Sequence, residues 1–233
     1  LLKMSELKKY KMFIDGEWVN SESKKTFKSL NPENNEPWVE VPEASEKDID
    51  KAVNAAQKAF EGSWSKLFPR ERAKYLKAIA NELRQNTELL GKIETIDTGK
   101  LFKETKTQAN YIAEYYDYYA GLADKVEGTV LPIDKANMQV ITTRVPIGVV
   151  VAIIPWNSQM LLTAVKLAPA LAMGNTVVIK SSELAPATLF EFGKLIEKTG
   201  IPKGVVNIVS GFGEPCGRAL TSHKLVERVA FTG

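Results

Sequence analysis

The sequence predicts an α/β fold built on a doubly wound parallel sheet, and three observations carry that prediction. Segments 149–154, 176–179, 205–209 and 227–231 are short and dominated by valine, isoleucine and alanine, as strands covered on both faces are. Helical patterns over 160–173, 186–198 and 214–222 separate them, and each is long enough to cross back over the sheet. Such crossovers are right-handed, which puts helices on both faces.

Upstream, the first 45 residues read as extended and loop-rich. Met12-Phe13-Ile14 and Glu17-Trp18-Val19 flank Asp15-Gly16, a pair suited to a type I′ hairpin turn. Ser45 precedes Asp48 at capping-box spacing. Behind it Ile49, Ala52, Val53, Ala56 and Phe60 repeat with helical period. Pro69 suits a first helical turn, and Ala73, Leu76, Ala80 and Leu83 continue that helix. Helices over 87–96 and 105–124 follow, interrupted near Thr98-Gly99, and 138–145 reads as β-rich. The tyrosines between Tyr111 and Tyr119 sit at helical spacing, which marks helix packing before it marks a substrate box.

Composition narrows the function. Of 233 residues, 44% are apolar and 25% charged, which excludes disordered, collagen-like and coiled-coil chains. Thirty-one basic against 28 acidic residues leave +3, without the clustered charge that a nucleic-acid surface requires. One cysteine and one histidine leave neither a disulfide framework nor a histidine-rich metal site. The first thirty residues hold seven lysines and no apolar signal core, and no apolar run spans a bilayer. The expectation is a cytoplasmic protein that needs no metal and binds neither membrane nor nucleic acid. The chain opens at Leu1, with Met4 as a candidate start, and stops just past a strand-like run at Gly233, so we expect it to be part of something longer.

Ligands of open α/β sheets bind beyond the carboxyl ends of the strands. Those ends carry Pro155-Trp156-Asn157-Ser158, Lys180-Ser181-Ser182-Glu183, Ser210-Gly211-Phe212-Gly213 and Thr232-Gly233, all on one edge of the sheet. Gly211, Gly213 and Gly217 miss the dinucleotide spacing by one residue. Lys180 and Glu183 suit a ribose diol, as donor and acceptor, or simply a helix entrance. Asn157 is either a helix cap or an oxyanion donor. A helix start at Cys216 would favour its thiolate and some reactivity with alkylating agents.

Ile154-Pro155-Trp156-Asn157, Val178-Ile179-Lys180 with Glu183, Val206-Asn207-Ile208-Val209 with Gly211 and Gly213, and Val229-Ala230-Phe231-Thr232-Gly233 occur in that order. Upstream stand Phe13-Ile14-Asp15-Gly16-Glu17-Trp18, Asn31-Pro32, Asp97-Thr98-Gly99-Lys100, Tyr118-Tyr119-Ala120-Gly121 and Pro146-Ile147-Gly148-Val149. Together they resemble the NAD(P)-dependent aldehyde dehydrogenase superfamily, from about residue 10 to the end.

That resemblance implies a Rossmann-like region over 148–233, an N-terminal helical part over 1–127 and a protruding β-flap over 128–147 that pairs subunits into a homodimer or homotetramer. It implies aldehyde oxidation to a carboxylic acid through a cysteine thiohemiacetal and thioester, with the nucleophile and the general-base glutamate outside this chain and Cys216 only a small residue packing beside the cofactor. Asn157 would be the oxyanion donor. Ile154, Pro155, Trp156, Asn157, Lys180, Ser182, Glu183, Gly213, Gly217, Phe231, Thr232 and Gly233 would hold the cofactor, NAD in preference to NADP. Ser158, Leu162 and Val165 would line the substrate tunnel, where the small Val165 leaves room for a bulkier aldehyde. A stand-alone non-catalytic dinucleotide-binding module, or a reductase of acyl-CoA or acyl phosphate with this fold, are the alternatives.

Overall fold

The structure is a computed structural model that describes residues 7–233; Met4 lies outside them. Its centre is a six-stranded sheet. Strands β2 (Met12–Ile14) and β3 (Glu17–Val19) form the N-terminal hairpin. Strands β8 (Val149–Ile153), β9 (Thr176–Lys180), β10 (Val206–Val209) and β11 (Val226–Phe231) form the parallel part. The order across the sheet is β11-β8-β9-β10-β2-β3, with β2 antiparallel to β10. The hairpin turn is the one its sequence demands: Asp15 and Gly16 both have positive φ, 54° and 73°. Asn207 in β10 pins that turn by accepting a hydrogen bond from Asp15 N at 2.9 Å.

The parallel strands alternate between two cores. Val150, Ala152, Val177, Ile179, Val206 and Ile208 join one apolar cluster, and Val149, Val151, Val178 and Val209 join the other. Helix α1 (Glu46–Glu61) covers the second face with Ile49, Ala52, Val53 and Ala56. It starts as its sequence predicts, with Ser45 and Asp48 in a reciprocal capping box. Helices α2 (Pro69–Gln85), α3 (Thr87–Thr98) and α4 (Phe102–Leu122) belong to the other face. They pack behind α5 (Gln159–Ala172) and α6 (Ala187–Lys198), which lie on the sheet. Burying one such valine or isoleucine is worth roughly 1.5–3 kcal/mol, so both faces contribute and the doubly wound reading holds.

Three expectations need correction. The first 45 residues contain, besides the hairpin, a second sheet of β1 (Lys8–Lys9), β4 (Thr26–Asn31) and β5 (Glu36–Pro42), in the order β1-β5-β4. Val39 and Val41 of β5 are buried in the main core, but Glu36, Glu40 and the mostly exposed β4 interrupt the apolar signal around them. Segment 138–145 shrinks to β7 (Val140–Ile141), paired with β6 (Val130–Leu131). The hairpin packs on no core, and Val130, Leu131, Met138 and Ile141 stay exposed. Finally, 214–222 is not one helix. Gly213–Gly217 forms a wide turn with Glu214 extended, and only α7 (Arg218–Thr221) is regular helix. Pro215 is the cause, because it excludes the preceding residue from helical geometry. Among the described residues, no helix is long and apolar enough to cross a membrane and no cluster of side chains is suited to a metal.

One buried charge sits uneasily in this core. Glu94 is 2% exposed and its Oε1 has no hydrogen-bond partner. Burial pushes its carboxyl from 4.5 up to about 7, with Lys100 opposing and Asp97 adding to the rise. Between those two values the folded state holds a proton that the unfolded state releases, so stability falls as pH rises through this window. Glu94→Gln, with no charge to bury, should exceed wild type by about 1–3 kcal/mol at pH 8. The gain should largely vanish near pH 5. Thermal unfolding at both pH values checks this, and a gain independent of pH would contradict it.

Candidate cofactor and substrate site

The four parallel strands end in register. Phe231 lies beside Ile153, Ile153 beside Lys180, and Lys180 beside Val209. The residues after each strand therefore emerge along one line. They surround a cleft of about 370 Å³. Ile154, Pro155, Trp156, Lys180, Ser182, Glu183, Gly213, Gly217, Phe231, Thr232 and Gly233 line it, as the sequence leads one to expect. Ile153, Leu184 and Thr221 line it as well.

Lys180 is the charged residue most deeply set in the cleft, at 4% exposure. Its ammonium donates to the Ser181 carbonyl at 3.1 Å and to Glu183 Oε2 at 3.3 Å. The pairing offsets the desolvation of the lysine and leaves Glu183, one-third exposed, facing solvent. Ser182 Oγ accepts from Leu184 N at 3.2 Å and shapes the turn. On the neighbouring loop, a Cβ at Gly213 would meet nothing within 4 Å, and one at Gly217 would make only ordinary contacts, the nearest at 3.8 Å. These glycines leave open room beside Lys180. Gly211 answers a different need: with φ +155°, its Cβ would stand 2.7 Å from Cys216 Cβ.

Asn157 follows Trp156 out of β8 and is exposed, with its side-chain amide unbonded among the described residues. It is not the cap of α5; Ser158 holds the N-cap position, and its side chain does not cap either. Asn157 does not line the 370 Å³ cleft. Of the three tunnel candidates, Val165 opens onto a separate depression of about 540 Å³ shared with Arg144, Lys166 and Arg228. Ser158 and Leu162 are half-buried and line neither cavity.

Two lysines were given no site role in the sequence reading. Lys166 donates to Thr232 Oγ1 at 2.6 Å and to the Leu162 carbonyl at 3.2 Å, tying α5 to the β11 turn. Burial holds it below the usual lysine range. The signal was a lone cation in an otherwise apolar helix. Lys100, between α3 and α4, donates to Ser158 Oγ, and only the fold brings the two together.

Set behind four aligned strand ends and flanked by helices on both faces, this cleft defines a doubly wound α/β protein with its ligand edge in the expected place. The aldehyde dehydrogenase family model matches residues 18–233, and the chain belongs to that family. It is 48% identical over 228 residues to (Z)-2-((N-methylformamido)methylene)-5-hydroxybutyrolactone dehydrogenase of Acinetobacter baylyi, covering 97% of this chain and 46% of that protein. It is 43% identical to betaine aldehyde dehydrogenase of Bacillus subtilis, covering 95% and 46%. The NAD+ complex of aldehyde dehydrogenase from Bacillus cereus superposes with a TM-score of 0.94 at 39% identity, covering 97% and 46%. The chain thus spans about half the length of the curated relatives it matches.

Cys216 packs in the core as a small residue, without the alkylation reactivity that a helix start would give it. It is fully buried, and α7 behind it has only four residues, too short to act as a strong dipole. Burial pushes its thiol up to about 12, with Lys180 offsetting only part of the rise. Because Cys216 is the single cysteine of these 233 residues, Ellman's reagent should label the folded chain slowly at pH 8 and fully once guanidinium unfolds it. Rapid labelling of the folded chain would show an accessible thiolate instead.

Proposed function

We propose that this chain is the cofactor-binding half of an NAD-dependent enzyme that oxidises a small aldehyde to a carboxylic acid. The observation that carries the reading is the row Phe231–Ile153–Lys180–Val209, which gathers four polar or glycine-bearing loops around one cleft. The NAD+-bound structure among its neighbours supports the choice of cofactor. The 5-hydroxybutyrolactone in the name of the Acinetobacter relative supports a small, oxygen-rich substrate.

NAD, when bound, supplies the hydride acceptor. Glu183 accepts from the ribose hydroxyls while Lys180 donates to them, and Gly213 and Gly217 give the cofactor close approach to the backbone. A 2′-phosphate would face the Glu183 carboxylate, so NAD is preferred. Lys180 offsets part of that repulsion, which leaves NADP tolerated. Asn157, free of the helix cap, donates its amide N–H to the aldehyde oxygen as negative charge develops there. Burial keeps Cys216 protonated, so the thiolate comes from outside these 233 residues; the resemblance implies the same of the general-base glutamate.

The same reading divides the chain into an N-terminal part ending at residue 127, corrected from all-helical because strands occupy 8–42 and helices begin at Glu46, a β-flap (128–147) and the cofactor-binding region (148–233) of a cytoplasmic enzyme. The exposed Val130, Leu131, Met138 and Ile141 of the flap support its use between subunits, since an uncovered apolar strand edge invites pairing.

In the complete enzyme, Asn157→Ala should lower kcat by roughly 10²–10³, the effect of removing one oxyanion donor. NAD affinity should stay nearly unchanged, and wild type should use NAD better than NADP. Steady-state kinetics with both cofactors, alongside calorimetric NAD titration, check this. A parallel loss of NAD binding and turnover, or tighter use of NADP, would overturn these assignments.

A further inference from the structure

Lys100 is held in an unusual setting. It occupies the three-residue link between α3 and α4, where Gly99 turns the chain in a left-handed conformation, φ +76°. Its side chain is half-buried and crosses to the start of α5, where its ammonium donates to Ser158 Oγ. It enters no ion pair among the described residues. The carboxyl that influences it through space is Glu94, which is buried, lacks a hydrogen bond at Oε1 and is itself pushed toward neutrality. A half-buried ammonium whose side-chain partner among the described residues is a neutral hydroxyl can take an added anion as a charge-assisted partner. Ser158 is the residue after Asn157, whose side chain is exposed; consecutive Cα atoms are about 3.8 Å apart.

We propose that Lys100, anchored on Ser158 beside Asn157, is a specificity-determining residue that selects aldehydes carrying a carboxylate a few carbons from the carbonyl. This rests on the reading of the chain as part of an aldehyde dehydrogenase. In a short oxo acid, the carbonyl oxygen meets the Asn157 amide while the carboxylate meets the Lys100 ammonium and the Ser158 hydroxyl. A neutral aldehyde leaves the ammonium unsatisfied. A cationic one meets like charge.

The test uses the complete enzyme with NAD and three matched aldehydes: butanal, 4-oxobutanoate and the methyl ester of 4-oxobutanoate. kcat/KM for the oxo acid should exceed both neutral compounds by about tenfold or more, the scale of one charge-assisted hydrogen bond. The advantage should reside mainly in KM and shrink as salt is added. Lys100→Gln should collapse the ratio toward one, and Lys100→Arg should restore part of it. Equal kcat/KM for all three substrates would overturn the proposal. So would a Lys100→Gln enzyme that loses activity on all three in proportion, since that is the mark of a structural role. Turnover of butanal without any preference for the acid defeats this inference alone. No turnover of any aldehyde defeats the parent reading with it.

Discussion

The whole arrangement depends on four parallel strands ending together. Side chains in a strand alternate between faces, so a one-residue slip of β9 against β8 would send Val177 and Ile179 to the face that Val178 now fills. Both faces are buried, against α1 on one side and α5 and α6 on the other, so such a slip has a large apolar penalty. The register that satisfies both cores also aligns Phe231, Ile153, Lys180 and Val209. The site is thus a by-product of core packing, and its loops inherit their positions from it.

Polar groups inside the fold secure that alignment at both ends. At the amino end, Asn175 Oδ1 accepts from Ile147 N and Gly148 N at 2.8 and 3.1 Å, fixing the entry to β8. At the carboxyl end, Ser210 Oγ donates to the Pro42 carbonyl at 2.5 Å, joining the β10 loop to the N-terminal sheet. Asp97 accepts from Ala187 N at 2.7 Å and from Trp38 Nε1 at 3.2 Å, tying the start of α6 to β5. Around this rigid frame stand three partly or fully buried lysines, Lys100, Lys166 and Lys180, each with a polar partner. A buried cation in a cleft, as Lys180 is, attracts negative charge more strongly than surface lysines do. That bias suits an anionic cofactor and an oxygen that becomes negative during reaction.

Much of this was legible in the chain. Valine-rich strands between helices, the Asp15-Gly16 turn and the Ser45–Asp48 capping box each have a local physical cause, and each is found where the sequence places it. The failures also have causes. Pro215 overrode a helical pattern through the residue before it. The β4–β5 strands hide their pattern under surface charge. Most of the cofactor candidates line one cleft, because residues that follow parallel strands must share an edge. Leu184 and Thr221 were missed because they line it by position rather than by chemistry. Lys100 meets Ser158 across 58 positions of sequence, a contact that no local pattern encodes.

The central claim is that the strand-end cleft, rather than the larger groove of about 850 Å³ between α1 and the α7–β11 turn, receives the cofactor. Amide hydrogen exchange of the complete protein, with and without NAD, tests it most directly. The account predicts slowed exchange at 153–157, 180–184, 211–217 and 231–233, with 46–54 and 222–225 unchanged. Protection centred on Asp50, His223 and Lys224, with the strand ends unaffected, would contradict it.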